Sequence, residues 1–306
     1  MHSDPGRNTA PDESVDLEKR ADQGFNGPPV TFTLDLEDHR PGPTTAVRYP
    51  DLTRRYLDWL DERDIRGTFF VVGDVARWTP DLVSEVADRG HEIGLHNWKH
   101  VQIFRLEPDR FRRWARDGKD LLEQLTGREV RGFRCPTGSL LPGTQWCTEI
   151  LAEVGFTYSA SVLPAQSYRV GFPGCPRVPF RWPSGLIELP CPTAGVAGIG
   201  TPFIGGVFLR VLPAAVLRHY HRRLHPDEMP WVYIHPYDID TDEPFYFVPD
   251  TPKWGPLFLW ANRSKTLDRL DQLFADGAGP PLAERVDALG SQLPMFLPPD
   301  TVVAAA

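Results

Sequence analysis

The feature that most limits the fold is an alternation of two periods. Short runs of strand-forming residues are separated repeatedly by amphipathic stretches of helical period. Val30-Thr-Phe-Thr-Leu-Asp-Leu36 is rich in β-branched and aromatic side chains. Asp51 to Arg63 follows with Leu52, Tyr56, Leu57 and Leu60 on one helical face. Gly67-Thr-Phe-Phe-Val-Val-Gly73 is a buried strand between glycines, and Thr79-Pro80 opens a helix to Arg89 with Thr79 as N-cap. Glu92-Ile-Gly-Leu95 is the next strand, and Glu107 to Thr126 the next helix, stopped by Gly127. Val130 to Pro136, Thr144 to Val154 and Phe156 to Ser161 continue the pattern as strand, helix and strand. Such a series predicts a parallel sheet covered by helices, closed or nearly closed into a barrel.

The ends of the chain and the region from 163 to 206 read differently. Residues 1–26 are polar and aperiodic, and are expected to be a disordered tail. Residues 27–276 form the expected catalytic domain, and 277–306 a C-terminal extension weakly structured by pattern. The segment 163–206 is rich in Pro and Gly and predicts loops and hairpins over the mouth of the barrel. Leu212 to Leu224 returns to helix, and Trp231-Val-Tyr-Ile-His235 is the last strong strand. Asn262 is placed to cap a final helix, Lys265 to Phe274.

Charge and cysteine usage narrow the function classes. The net charge of −8 comes from interleaved acids and bases, with no basic block suited to nucleic acid. The first 24 residues contain no apolar segment of signal-peptide type, and no stretch is long and apolar enough to span a bilayer. The expected compartment is therefore cytoplasmic. Cys135, Cys147, Cys175 and Cys191 form no Cys-x-x-Cys pair and read as buried thiols.

Several predicted strands finish in ionisable residues, and in a parallel barrel those ends face one mouth. The first ends in Asp35-Leu-Glu37-Asp38 and the third in His96 and His100. The fourth carries Arg134, and the last ends in His235. On a helical turn, the i, i+4 spacing of His96 and His100 would set both imidazoles on one face, within reach of one metal ion. One carboxylate with two imidazoles leaves a coordination position open for water, as catalytic zinc sites do. A second carboxylate and a separate histidine then supply a base and an acid.

At these residues the chain resembles a polysaccharide deacetylase of the NodB-homology type, carbohydrate esterase family 4. The resemblance covers about residues 28 to 275. The family's Thr-Phe-Asp-Asp-Gly motif is matched by Asp35-Leu-Glu-Asp-His39, an Asp-x-Glu-Asp variant of the subgroup associated with exopolysaccharide clusters. His96 and His100 match its His-x-x-x-His, and Gly132-Phe-Arg-Cys-Pro136 its Arg-x-Pro. The runs Pro202 to Pro213 and Tyr233 to Asp240 also resemble that subgroup.

The resemblance implies an incomplete (β/α)7 barrel. It implies a divalent metal held by Asp38, His96 and His100, zinc by default, with cobalt, nickel or manganese compatible. Glu37 would be the general base, His235 the general acid, and Arg134 the tether of the base. The backbone N–H of Thr137 would help to hold the oxyanion. Strand alternation, however, puts Asp35 and Glu37 on one face and Asp38 on the other, so Asp35 stands as an alternative base with Glu37 nearer the metal. The subgroup's Tyr-Asp-Ser-Ser is here Tyr158-Ser-Ala-Ser161, which lacks a supporting carboxylate.

The implied activity is hydrolysis of an N-acetyl amide on an amino sugar or polysaccharide intermediate, releasing acetate. Two other readings stand beside it. One is an allantoinase-like hydrolase of small amides or cyclic imides; the other is a non-catalytic glycan-binding relative. The oligomeric state is not determined by the sequence.

Overall fold

In the computed structural model, residues 25–40, 42, 44–165, 171–196, 199–247 and 255–298 are described. The tail expected over 1–26 lies outside the described residues, apart from Phe25 and Asn26. Pro41, Pro43, parts of the 163–206 region and the end of the C-terminal extension lie outside as well.

Seven parallel strands form the main sheet. They are β1 (Thr31–Leu36), β2 (Thr68–Val71), β3 (Glu92–Leu95), β4 (Gly132–Phe133), β5 (Tyr158–Ser159), β7 (Ile187–Glu188) and β10 (Trp231–Ile234). Their order is β10-β1-β2-β3-β4-β5-β7, and β6 (Phe180–Arg181) adds an antiparallel edge to β7. The sheet curls into a half-barrel. The Trp231 indole N–H of β10 donates to the Leu189 carbonyl beyond β7 at 3.1 Å, across the gap that a closed barrel would fill. A separate hairpin, β8 (Thr193–Val196) with β9 (Ile199–Pro202), matches the expected hairpin insertion.

The period of two sorts side chains into two cores. Phe32 on β1 faces the helical layer, where it meets Tyr56, Trp59, Phe69 and Phe274. The barrel interior holds Phe70, Tyr158, Ala160, Ile187, Leu189 and Trp231. Interior space is made by absence: a Cβ on Gly94 would come within 2.6 Å of the Phe70 ring, and one on Gly132 within 2.3 Å of the Tyr158 hydroxyl oxygen. Neither position accepts a side chain without displacing an aromatic ring.

Several boundaries differ from expectation for local reasons. Thr79 does not cap the following helix, Pro80–Asp88, because its hydroxyl donates back to the Val75 carbonyl at 2.9 Å. Asn262 makes no side-chain cap, and the last predicted helix runs from Thr266 to Leu273. The predicted 212–224 helix is shorter, Ala214–His221, with Pro213 at its N-cap, and a separate helix, Gly206–Val211, precedes it; proline lacks the donor that would join the two.

The larger departures concern β7 and the C-terminal extension. Residues 186–190 read as an inserted short strand, yet they supply the seventh strand of the barrel. The extension beyond Gly277 forms a helix, Leu282–Asp287, that closes the N-terminal end of the barrel. Leu282 is fully buried there, a burial that stabilises by roughly 1.5–3 kcal/mol. Its N–H donates to Thr68 Oγ1 at 2.9 Å, and the Ala283 N–H donates to Glu92 Oε2 at 2.9 Å. Among the described residues, no helix is long and apolar enough to cross a membrane.

Candidate metal centre and active site

Strand parity decides which residues meet at the C-terminal mouth. Thr33, Asp35 and Glu37 share the interior face of β1 and its extension, as Gly94 and His96 do on β3. Arg134 follows β4, and His235 follows β10. These positions line one cavity of about 310 Å³, with Thr137, Ala160, Leu163, Cys191, Trp231 and Tyr233 on its walls. A larger recess of about 1050 Å³ lies at the opposite end, between Glu62–Arg66 and Gly277–Pro281. We place the chemistry in the smaller cavity, because it alone of the two holds the histidine cluster.

One ligand atom each from Glu37, His96 and His100 falls within 4.8 Å of the others. Glu37 Oε2 lies 2.7 Å from His100 Nε2. His96 Nδ1 lies 2.9 Å from the Arg134 carbonyl, and a carbonyl only accepts. The proton therefore sits on Nδ1, and Nε2 carries a lone pair. That Nε2 is buried and has no hydrogen-bond partner among the described residues. An orphaned imidazole lone pair beside a carboxylate and a second imidazole is the donor set a divalent cation takes.

The histidine pair is not on a helix. Residues 96–102 form an irregular loop, with Asn97 in the left-handed region at φ 63°. The loop is pinned where Asn97 and Trp98 carbonyls accept the N–H groups of Gly73 and Asp74 at 3.0 and 2.9 Å. It brings the two imidazole centroids to 5.2 Å, so the i, i+4 spacing works here through a turn rather than a helical face.

Asp38 is not brought to the histidines. Its carboxylate takes Arg40 Nε at 2.9 and 2.7 Å and Arg40 Nη2 at 2.6 Å. The reason is parity: one step past Glu37 the side chain turns to the other side of the strand. The sequence reading grouped Asp38 with the histidines and made Glu37 the base. The structure instead gives Glu37 the place beside the histidines.

The guanidinium of Arg134 goes to Asp35. Arg134 Nη1 donates to Asp35 Oδ1 at 2.6 Å and to Thr33 Oγ1 at 2.8 Å, and Nε donates to the Ala160 carbonyl at 3.1 Å. Phe70 and Trp231 sandwich the guanidinium, each with its ring centroid 4.1 Å from the central carbon. Asp35 Oδ2 points to the opposite side, 3.9 Å from both His96 Nε2 and His235 Nε2. Burial alone would raise the Asp35 pKa, but the charge of Arg134, with that of His235 and the Arg134 hydrogen bond, holds it below the ordinary range.

His235 closes the other wall. Its Nδ1 lies 3.0 Å from Asp238 Oδ2, whose same oxygen accepts the His235 backbone N–H at 2.9 Å. Asp238 is in turn paired with the buried Arg210. The imidazole stacks nearly coplanar on Tyr237, at 4.7 Å and 9°. Burial opposes its charging, yet the hydrogen bond and charge of Asp238, with Glu37 and Asp35 beyond, raise its pKa to about 9. Nε2 is thus a protonated donor facing the cavity, 4.0 Å from Glu37 Oε1. Thr137 also lines the cavity and is held in the left-handed region at φ 55°, ψ 26°.

Sequence reasoning missed Asp238 and Arg210 as partners of His235. Both lay inside quoted motifs, Tyr233 to Asp240 and Pro202 to Pro213, and a carboxylate three residues after the histidine was the available signal. All four cysteines are buried and free, as expected.

Comparison with known proteins bears on the fold and the family. Residues 26–159 match the polysaccharide deacetylase family model, and residues 160–278 match a domain of unknown function, DUF3473. The boundary between the two matches runs through one sheet, with β1–β5 on one side and β7 and β10 on the other. One relative is a peptidoglycan-N-acetylglucosamine deacetylase of Bacillus cereus. It is 32% identical over 103 residues, 33% of this chain and 38% of the relative. Another is the peptidoglycan-N-acetylmuramic acid deacetylase PdaC of Bacillus subtilis, 27% identical over 128 residues, 42% of this chain and 25% of the relative. The chain thus spans less than half the length of these two relatives. A solved structure from Mycobacterium smegmatis, assigned as a polysaccharide deacetylase, superposes with a TM-score of 0.56 at 22% identity. It covers 89% of this chain and 94% of that one.

Fold and site together define a parallel α/β half-barrel with a carboxylate–imidazole centre at its C-terminal mouth. Within that class, residues 26–159 are similar to the polysaccharide deacetylase family and residues 160–278 to DUF3473.

Proposed function

We propose that the protein is a metal-dependent hydrolase that removes an N-acetyl group from an amino sugar or a polysaccharide intermediate, releasing acetate and a free amine. The observation that carries this reading is the meeting of three parts in one cavity. These are the Glu37, His96 and His100 donor set, the Asp35–Arg134 pair and the His235–Asp238 pair. Glu37, His96 and His100 would hold the ion, and zinc suits this donor set, with cobalt, nickel or manganese compatible. When bound, the ion polarises the amide carbonyl and lowers the pKa of water in its open position.

The chain's own groups do the rest. Asp35 Oδ2 takes the proton of the attacking water, while Oδ1 stays fixed on Arg134 so that the free oxygen keeps its aim. This assigns the base to Asp35 rather than Glu37. The Thr137 backbone N–H, in the wall of the cavity, is assigned to the oxyanion that forms as the carbonyl carbon becomes tetrahedral. His235 Nε2 then donates its proton to the leaving nitrogen, with Nδ1 held by Asp238. Ala160, Leu163 and Trp231 give the cavity an apolar wall.

The test is acetate release by purified protein carrying added zinc. The substrates are N-acetylated oligosaccharides and lipid- or nucleotide-linked N-acetyl amino sugars, with small amides and cyclic imides as controls. Turnover of the amino sugars supports the reading. Turnover confined to the small amides, or none at all with zinc bound, refutes it.

A further inference from the structure

The subgroup's Tyr-Asp-Ser-Ser motif reads Tyr158-Ser-Ala-Ser161 in this chain. A carboxylate stands beside Ser159 on the neighbouring strand. In the parallel pairing of β5 with β7, Ser159 is directly beside Glu188. Glu188 is fully buried on the outer face of the sheet, behind the strand ends that carry the site. Its Oε1 accepts the backbone N–H groups of Ser161 and Val162 at 2.7 and 2.8 Å, and Oε2 accepts the Trp182 indole N–H at 3.1 Å. The Ser159 hydroxyl bonds the same carboxylate, and Ser159 Oγ lies 2.8 Å from Ser161 Oγ.

These bonds continue to the chemistry. Ser161 Oγ accepts the Cys135 N–H at 2.9 Å. The neighbouring Ala160 carbonyl accepts Arg134 Nε at 3.1 Å, and the Ala160 N–H donates to the Phe133 carbonyl at 2.9 Å. The 160–162 backbone is therefore the wall against which residues 133–135 are held, and Glu188 fixes that wall. Arg134 in turn fixes Asp35.

We propose that Glu188 is a positioning residue for the Arg134–Asp35 pair, supplying a carboxylate across the sheet beside Ser159. The inference rests on the deacetylase reading above. It also adds Glu188 to the residues that the region matched by the domain of unknown function brings to the site, among them Trp231, His235 and Asp238.

The experiment compares Glu188→Gln, Ser159→Asp and the double variant with the unsubstituted zinc-loaded protein. It reads kcat, KM, zinc affinity and thermal midpoint. A glutamine keeps the volume but cannot accept at all the donors that now converge on the carboxylate. Glu188→Gln is expected to lower kcat about 10–100-fold, the usual cost of losing an outer partner, with KM and zinc affinity within about threefold. Adding Ser159→Asp restores a carboxylate at the adjoining position and should recover at least about tenfold of that loss. Ser159→Asp alone sets two carboxylates side by side and should lower the thermal midpoint. If Glu188→Gln does not fold, Ser161→Ala removes the hydroxyl that links Ser159 to the Cys135 N–H while leaving the Glu188 bonds to the 161 and 162 N–H groups, and should lower kcat with KM unchanged. Undiminished kcat in the folded Glu188→Gln protein, no recovery in the double variant, or undiminished kcat in Ser161→Ala where that variant stands in, overturns the inference. Absence of turnover in the unsubstituted protein is a different outcome and fails the deacetylase reading itself.

Discussion

Replacing Glu37 by Gln tests the assignment on which the site depends, because two neighbouring carboxylates compete for one role. Glu37 Oε2 sits 2.7 Å from His100 Nε2, while Asp38 is bound on both oxygens by Arg40. Glu37→Gln keeps the side-chain volume and removes the only anionic member of the donor set. Partners that touch a metal only through a ligand already cost 10–100-fold in affinity when removed. Loss of a direct anionic ligand should therefore cost at least about 100-fold, or ~2.7 kcal/mol. Asp38→Asn leaves all three donors in place and breaks a partly exposed ion pair, so its effect should stay below about threefold, ~0.6 kcal/mol. Zinc affinity measured by chelator competition at fixed pH separates the two. Asp38→Asn weakening zinc as much as Glu37→Gln, or Glu37→Gln binding zinc undiminished, would show that the reasoning from strand parity is wrong.

Three further outcomes are expected. Asp35→Asn should lower kcat by about 10²–10⁴-fold while zinc affinity stays within about tenfold, since Asp35 is placed to move a proton rather than to hold the ion; steady-state kinetics and metal titration check this together. His235 must be protonated to act as the acid, and its pKa is about 9, so kcat should be lost as pH rises through that value, a limb that a pH–rate profile reads directly. Asp238 has its pKa lowered from 3.8 to about 2: burial would raise it, but Arg210 and then His235 outweigh that cost. A depressed carboxylate contributes stability above its unfolded pKa and loses it as pH falls through the folded one. Roughly 2 kcal/mol should thus disappear between about pH 4 and pH 2 in denaturant titrations, and Asp238→Asn should remove most of that slope.

The sequence made much of the barrel legible because strand and helix periods are local. Val30 to Leu36, Gly67 to Gly73 and Trp231 to His235 carry enough β-branched and aromatic residues to be read without partners. β7 was harder to read, because the four residues between Gly185 and Pro190 look like an insertion until a neighbouring strand pairs with them. The C-terminal helix was missed for a related reason. Leu282 and Val286 carry too short a pattern to stand alone, and only the open end of the barrel gives them something to cover.

At the site, the sequence by itself determined which side chains share a face. The covalent geometry of an extended chain alternates side chains, and that alone put Asp35 and Glu37 together and Asp38 apart. The motif likeness pointed elsewhere, to Asp38 as ligand and Glu37 as base. Only the tertiary structure decided which partner each carboxylate takes. Arg134 reaches Asp35 from a strand that lies 99 positions away, and His100 reaches Glu37 through a loop whose turn no helical spacing describes. Parity is set within one strand. Partnership is set by where separate strands end in space, and that requires the curled sheet, the glycines that admit Phe70 and Tyr158, and the packing around them.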